Sequence, residues 1–269
     1  MNYWCDIGVN LLSEQFAADR QQVLDRAVAS GVNQLVLIGS DIAESQQNLQ
    51  FCQQQYLNLE LVTTAGIHPH YSAQVTADWL QQLELLIKES KVVAIGECGL
   101  DFNRDFSPRP QQQDVFAQQL QLAVQYKKVV YLHERDAFTR QIAMLKQHNI
   151  QQGVAHCFTG NVQQLRAYLD LGLYIGITGW LCDDKRGSEL QQAIAYIPDD
   201  RLLLETDAPY LLPKTIQPKP KSRRNEPAYL HYVAEKVAQL KQYSLTEVAQ
   251  LSWQNSQQLF GFKSRQDHV

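Results

Sequence analysis

Six polar side chains close apolar runs, at the points where a buried strand would give way to a loop. Glu97 ends "VVAIGE", His68 and His70 stand in "GIHPH", His133 in "VVYLHERD", His156 in "GVAHCFTG", and Asp207 in "LLLETDAP". A carboxylate closing an apolar strand is costly unless something pairs with it. Imidazoles and carboxylates together suit a hard or borderline divalent ion such as Mg²⁺, Mn²⁺ or Zn²⁺. A single histidine on an apolar strand is ordinarily a hydrogen-bonded core residue. Glu97, His133, His156 and Asp207 at the ends of four different runs point instead to a cation site. His68 and His70 flank Pro69, which stiffens their turn, and they either contact substrate or cap the strand. Cys98 and Cys157 each follow a candidate ligand directly, so strand alternation turns them away and makes them packing residues. His148, His231 and His268 fall on helical or tail positions and are expected at the surface.

The elements that must position these groups follow from the hydropathy pattern. Apolar strand-like runs occur at 3–9, 34–40, 60–68, 92–97, 129–134, 153–158, 173–180 and 201–208. Polar, Gln-rich stretches with helical spacing separate them, and their glutamines are expected to form solvated faces. In 114–126, Val115, Phe116, Gln119, Leu120, Ala123 and Val124 share one face. Residues 226–260 read as two closing helices. This alternation predicts an α/β fold, a (β/α)₈ TIM barrel built as a single domain over 1–269. An open doubly wound sheet is the structural alternative. No GxGxxG follows the first strand and no Walker A motif occurs, so no organic cofactor is expected. In a barrel, alternate strand residues point inward. Tyr131, His133 and Arg135 then share a side, as do Val154, His156 and Phe158, Glu205 with Asp207, and Asp6 with Gly8 and Asn10. The polar ends converge on the face where such barrels carry their sites.

Net charge of -4 provides no global basic field. One local cluster, Lys214, Lys219, Lys221, Arg223 and Arg224, lies in 213–227 after the last strand. It reads as a solvated loop or, above a metal site, as a set of phosphate contacts to which Arg135 and Arg186 add. The five cysteines are odd in number and scattered, with no CxxC pair. That pattern predicts neither a disulfide framework nor a thiolate zinc site, and a cytoplasmic protein. No apolar run approaches the roughly 20 residues of a membrane span, and the opening residues do not read as a secretory signal.

With these residues assembled, the sequence resembles the TatD family of metal-dependent deoxyribonucleases. The resemblance is carried by "GIHPH", "GECGLDF", "HERDA", "HCFTG", "GITGW", "LLETDAPYLLP" and "RRNEP", in that order along most of the chain. It implies an amidohydrolase-like barrel that hydrolyses phosphodiester bonds with a divalent metal. For the branch that gives the family its name, it implies 3′→5′ exonuclease action on single-stranded DNA and RNA and a part in DNA repair. The family's ligand positions fall on Glu97, His133 and His156, with Asp207 as ligand or general base. Much of the wider family opens on Asp-x-His-x-His, whereas "DIGVN" places Gly8 and Asn10 at the histidine positions.

The expected chemistry is a cation held by Glu97, His133 and His156, with Asp207 taking the proton of the attacking water. His68 and His70 would orient the phosphate. Arg135, Arg223 and Arg224 would hold the neighbouring backbone, and Phe102, Phe158 or Trp180 would stack on a terminal base. With two imidazoles missing from the first strand, Mg²⁺ is the expected ion and Mn²⁺ its substitute. The chain is expected to be a monomer. A metal-dependent hydrolase of small esters, lactones or amides on the same barrel is the alternative, and a non-catalytic nucleic-acid-binding protein a second one.

Overall fold

The structure is a computed structural model describing residues 2–262; His268 lies outside them. Eight parallel strands follow one another in chain order: β1 (Trp4–Val9), β2 (Val32–Leu37), β3 (Glu60–Ala65), β4 (Val92–Asp101), β5 (Val129–Arg135), β6 (Gly153–Ala155), β7 (Tyr174–Ile177) and β8 (Leu202–Leu204). Between and after them run α1 (Arg20–Ala29), α2 (Ile42–Cys52), α3 (Trp79–Leu86), α4 (Arg109–Tyr126), α5 (Phe138–Gln147), α6 (Val162–Leu169), α7 (Ser188–Ala193), α8 (Leu230–Lys241) and α9 (Leu245–Phe260). The sheet closes where Val9 bridges Ala208, the Asp207 N–H donates to Gly8 O at 2.9 Å, and the Asn10 N–H donates to Ala208 O at 2.8 Å. This is the expected TIM barrel.

A parallel sheet covered by helices is apolar on both faces, and every residue of β1 and β2 is buried. One face packs into the barrel interior, where Cys5, Ile7, Val36, Val62, Ala94, Tyr131, Val154 and Leu203 meet Phe260 of α9 and Phe262. The other carries Leu35, Leu61 and Ile95 into the larger apolar layer that also takes in Phe116 and Leu120 of α4 and Val233 of α8. Helix α4 buries Val115, Phe116, Gln119, Leu120 and Ala123 as the spacing predicts. Val124 does not join them: it is 52% exposed, because one further residue rotates about 100° round the helix, and Leu122 is buried instead.

Three glutamines also depart from the solvated-face expectation. Gln112, Gln119 and Gln141 are fully buried. Gln119 donates to Ile67 O at 3.0 Å and accepts from Ile67 N at 2.8 Å. Gln112 accepts from Asp101 N at 2.9 Å and donates to Asp101 O at 3.0 Å. Gln141 accepts from Leu100 N at 3.0 Å. A side-chain amide pairs with a backbone amide as a strand neighbour would. These helices thus extend hydrogen bonding past β3 and along β4, fixing the segments that carry His68 and Asp101.

The far end of the basic segment after β8 is held down at Arg224. Arg224 donates to Asp19 at 2.7 and 2.8 Å and to Glu226 at 2.9 Å, and lies over the Phe16 ring. Glu226 also accepts from Arg26 at 2.7 Å. Arg224 therefore clamps the loop to the start of α1. Its hydrogen bonds pull Asp19 down to about 2. A lowered folded-state pKa stabilises the fold above the ordinary value of about 4, and that stabilisation is lost as pH falls through the lowered one. Arg224→Ala should therefore cost on the order of 1 kcal/mol near neutral pH, and its melting temperature should approach wild type as pH falls from about 4 to about 2. Thermal melts across that range check this; a pH-independent gap would contradict it.

Candidate metal centre

Glu97 is aimed by a break in β4. Pairing with β5 runs Ala94–Val129 and Ile95–Val130, slips, and resumes at Cys98–Leu132 and Gly99–His133. Such a bulge re-aims a side chain. Gly96, in the slip, has φ +146°, and a Cβ there would collide with Tyr131 O; only glycine fits. The Glu97 N–H donates to Gly39 O at 2.7 Å across the barrel top.

One oxygen of Glu97 then faces three imidazoles. Oε1 lies 2.9 Å from His133 Nδ1, 3.4 Å from His68 Nε2 and 3.4 Å from His156 Nε2. Each ring has a partner behind it or a local lock. The Nδ1 of His68 accepts from the His70 N–H at 3.1 Å, so His68 both caps its turn and reaches the cluster. The Nδ1 of His156 meets Glu205 Oε2 at 2.8 Å and Tyr131 Oη at 2.9 Å, and the tyrosine donates to the same carboxylate at 2.7 Å. A carboxylate oxygen accepts, so Nδ1 carries a hydrogen and Nε2 is the nitrogen turned towards Glu97. His133 Nε2 lies 3.4 Å from Asp101 Oδ2 and is buried without a hydrogen-bond partner. His70 Nε2 binds Asp101 Oδ2 at 2.7 Å.

The electrostatics call for added positive charge. Burial would raise the Glu97 carboxyl, yet His68, His156 and the His133 hydrogen bond outweigh it and hold it well below its usual range. Burial would lower His133, yet the carboxylates of Asp101 and Glu97 beside it lift it to about 9. His156 is likewise lifted by Glu205 and Glu97 against burial. Burial pushes Asp207 up to about 7, with Glu97 and Glu205 adding to it and His156 opposing. Carboxylates that drag protons onto buried imidazoles would be satisfied equally by a cation. The donor chemistry fits one: His68, Glu97 and His133 offer ligand atoms within 4.8 Å of one another, and His156, Cys157 and Asp207 do the same. The orphaned His133 Nε2 is a further polar atom beside the cluster.

These groups floor a cleft of about 1210 Å³ over the C-terminal strand ends. Asn10, His68, His70, Glu97, His133, Arg135, His156 and Asp207 all line it. Asn10 donates to Asp207 Oδ1 at 3.1 Å. Several expectations are revised. Among the described residues, the cleft's arginines are Arg104, Arg135 and Arg140, while Arg223 and Arg224 do not line it. Lys214 and Arg186 are both engaged by Asp183, at 2.7 and 2.5 Å. Phe158 is buried against Tyr168, leaving Phe102 and Trp180 of the suggested stacking residues at the cleft. Of Asp6, Gly8 and Asn10 only Asn10 lines the cleft; the Asp6 carboxylate is taken up by Thr206 N–H and Oγ1 and by Gly8 N–H. Cys157 is not turned away: it lines the cleft with φ +45°.

Sequence reasoning missed Asp101 and Glu44, and it placed Tyr131 and Glu205 on the inward side without giving them a role. Asp101 sits four residues beyond Glu97 on the same strand, which runs on past the apolar run that marked it. Glu44 lines the cleft from the first turn of α2, bonded to Ser40 N at 2.9 Å; no local pattern distinguishes it from a helix-start acid.

Fold and site together define a hydrolase barrel whose strand ends gather carboxylates and imidazoles suited to a divalent cation. Comparison with known sequences narrows the class: residues 5–261 match the family described as TatD related DNase, and the chain belongs to that family. It is 48% identical to the 3′-5′ ssDNA/RNA exonuclease TatD of Edwardsiella piscicida over 257 residues, 95% of this chain and 98% of that one. Identity to the protein of the same name from Salmonella typhimurium is also 48%, covering 87% of this chain and 89% of the relative. Among solved structures, a TatD family hydrolase from Entamoeba histolytica superposes with a TM-score of 0.89 at 27% identity, over 96% of this chain and 98% of that one.

Gly8 explains how the strand-one side is filled. A Cβ there would collide with Tyr131 Oη and come within 2.5 Å of Glu205 Oε2; a histidine at this position has no room. Gly8→Ala should destabilise the protein by about 1–3 kcal/mol through overpacking. Adding Tyr131→Phe should recover part of that loss, because the two sites share one space. Urea unfolding of the single and double variants measures the coupling; strict additivity would show that the space is not shared.

Proposed function

We propose that the chain is a metal-dependent 3′→5′ exonuclease of single-stranded DNA and RNA, acting as a monomeric, single-domain cytoplasmic enzyme with a part in DNA repair. The observation that carries the reading is the convergence of His68, His133 and His156 on one buried Glu97 oxygen at the floor of an open cleft. The named activity of relatives 48% identical over nearly the whole chain supports the substrate class.

Glu97, His133, His156 and Asp207 would hold the cation, Mg²⁺ with Mn²⁺ as substitute. When bound, it supplies Lewis acidity to a phosphoryl oxygen and eases deprotonation of water. The residues do the rest. Asp207, steadied by Asn10, accepts the proton of the attacking water at the oxygen not occupied by the amide. As the new oxygen–phosphorus bond forms, the bond to the 3′-oxygen of the preceding nucleotide breaks, that oxygen takes up a proton from solvent, and a nucleoside 5′-monophosphate is released. His68 and His70 face the phosphate and fix its orientation, with Asp101 steadying His70 and His133. Arg135, joined by Arg104, meets the adjacent backbone at the cleft wall, and Trp180 or Phe102 offers a stacking face.

A 5′-labelled single strand incubated with Mg²⁺ should give a descending ladder, abolished by EDTA. A few internal products, or equal cleavage in EDTA, would refute the reading. Glu97→Ala, His133→Ala and His156→Ala should each lower turnover by about 100-fold or more while leaving the circular dichroism unchanged, since a lost ligand costs the ion and not the core.

Asp101→Asn keeps the shape but weakens the partner behind His70 and His133. It should cost about 10–100-fold in Mn²⁺ affinity, measured by calorimetry on metal-free protein; an unchanged affinity would return Asp101 to a purely local turn role.

A further inference from the structure

The cleft contains a sulfur donor that an oxygen-preferring ion does not need. Of the five cysteines, Cys5, Cys52, Cys98 and Cys182 are buried, and Cys157 alone is partly open. Strand β6 ends at Ala155, and Cys157 adopts φ +45°, so two consecutive side chains, His156 and Cys157, project into one cleft instead of to opposite faces. The turn is locked by the Cys157 N–H donating to Glu205 Oε1. Glu205 thereby holds both the backbone of Cys157 and the Nδ1 of His156. The Cys157 Sγ has Thr178 Oγ1 at 3.6 Å as its polar neighbour.

We propose that His156, Cys157 and Asp207 form a soft-cation position, taking Zn²⁺, Co²⁺ or Cd²⁺, on the flank of the Glu97 cluster. This deepens the proposed function and rests on its reading of His156 and Asp207 as cation ligands. Their donor atoms lie within 4.8 Å of one another, close to the ligand separations of roughly 3–4 Å that a zinc shell with bonds of 2.0–2.3 Å requires. An imidazole, a thiolate and a carboxylate are a mixed set that favours zinc-like ions over Mg²⁺, which prefers oxygen and retains water. Two of the three ligands are already backed: His156 by Glu205, and Asp207 by Asn10 at 3.1 Å. On binding, the S–H bond breaks, its proton passes to solvent, and the sulfur lone pair forms the bond to the ion. No electron transfer is involved. The position shares His156 and Asp207 with the Mg²⁺ reading, so a soft ion there competes with catalytic loading instead of adding to it.

Cobalt distinguishes the possibilities, because thiolate ligation gives an intense near-ultraviolet charge-transfer band that nitrogen and oxygen ligands do not. Full-length, EDTA-treated protein titrated with Co²⁺ should develop that band together with weaker visible bands. Cys157→Ser should lose the ultraviolet band, keep visible bands, and bind Cd²⁺ at least about tenfold more weakly. Visible bands without the charge-transfer band in wild type would overturn the proposal and leave the Glu97 reading standing. Absence of any bound Co²⁺ would overturn both. Should Cys157→Ser fail to fold by circular dichroism, wild type decides: iodoacetamide labelling of Cys157, mapped by mass spectrometry, should be slowed by Cd²⁺ and not by Mg²⁺. Labelling unaffected by Cd²⁺ would overturn the proposal.

Discussion

A single carboxylate oxygen facing three imidazoles, in a place almost closed to solvent, is the constraint around which the barrel top is arranged. Glu97 is 8% exposed, and leaving such a charge unpaired would cost several kcal/mol. The chain pays locally, with a bulge in β4, a glycine where a Cβ cannot fit, and a backbone bond from Glu97 to Gly39. It then surrounds the carboxylate with rings whose far sides are fixed by Glu205, Tyr131 and the His70 backbone. Glu205 is as important as any residue touching the cleft, because it sets the tautomer of His156 and the turn at Cys157 together. The charge of Glu97 is balanced when His133 and His156 are protonated or a cation lies among the rings. This links the local geometry to the chemistry proposed for it.

The helix layer contributes more than a cover. Gln112, Gln119 and Gln141 reach from α4 and α5 to backbone amides beside His68 and Asp101, at positions where sheet pairing thins out. Such buried amides convert helix packing into positional accuracy at the site. The same division of labour appears at the loop after β8, where Arg224 spends its charge on Asp19 and Glu226, fixing the loop against α1. The arginines that line the cleft are instead Arg104, Arg135 and Arg140, at the ends of β4 and β5 and on α5.

Most of the barrel was legible in the sequence because buried parallel strands must be apolar and their spacing is regular. His133, His156, Glu97 and Asp207 stood out as polar residues ending such runs. Asp101 did not, since β4 continues beyond its apolar stretch and the strand end was read four residues early. Cys157 was misread because alternation holds only while a strand lasts, and β6 stops two residues before it. Arg224 was misplaced for another reason: its partners, Asp19 and Glu226, are set by tertiary structure, and charge counting along the loop cannot reveal them. Gly8 reads in the sequence as a missing histidine, whereas in the structure its missing side chain leaves room for Tyr131 and Glu205.

The central claim is that Glu97 is ionised in order to hold a divalent cation among its imidazoles. Electron paramagnetic resonance of Mn²⁺ titrated into metal-free wild type and Glu97→Gln tests it without reference to turnover. Wild type should bind Mn²⁺ with a spectrum distinct from the aqueous ion, reversibly by EDTA, and the glutamine variant should lose at least about 100-fold in affinity. Equal Mn²⁺ binding by the two proteins, both folded, would contradict the account.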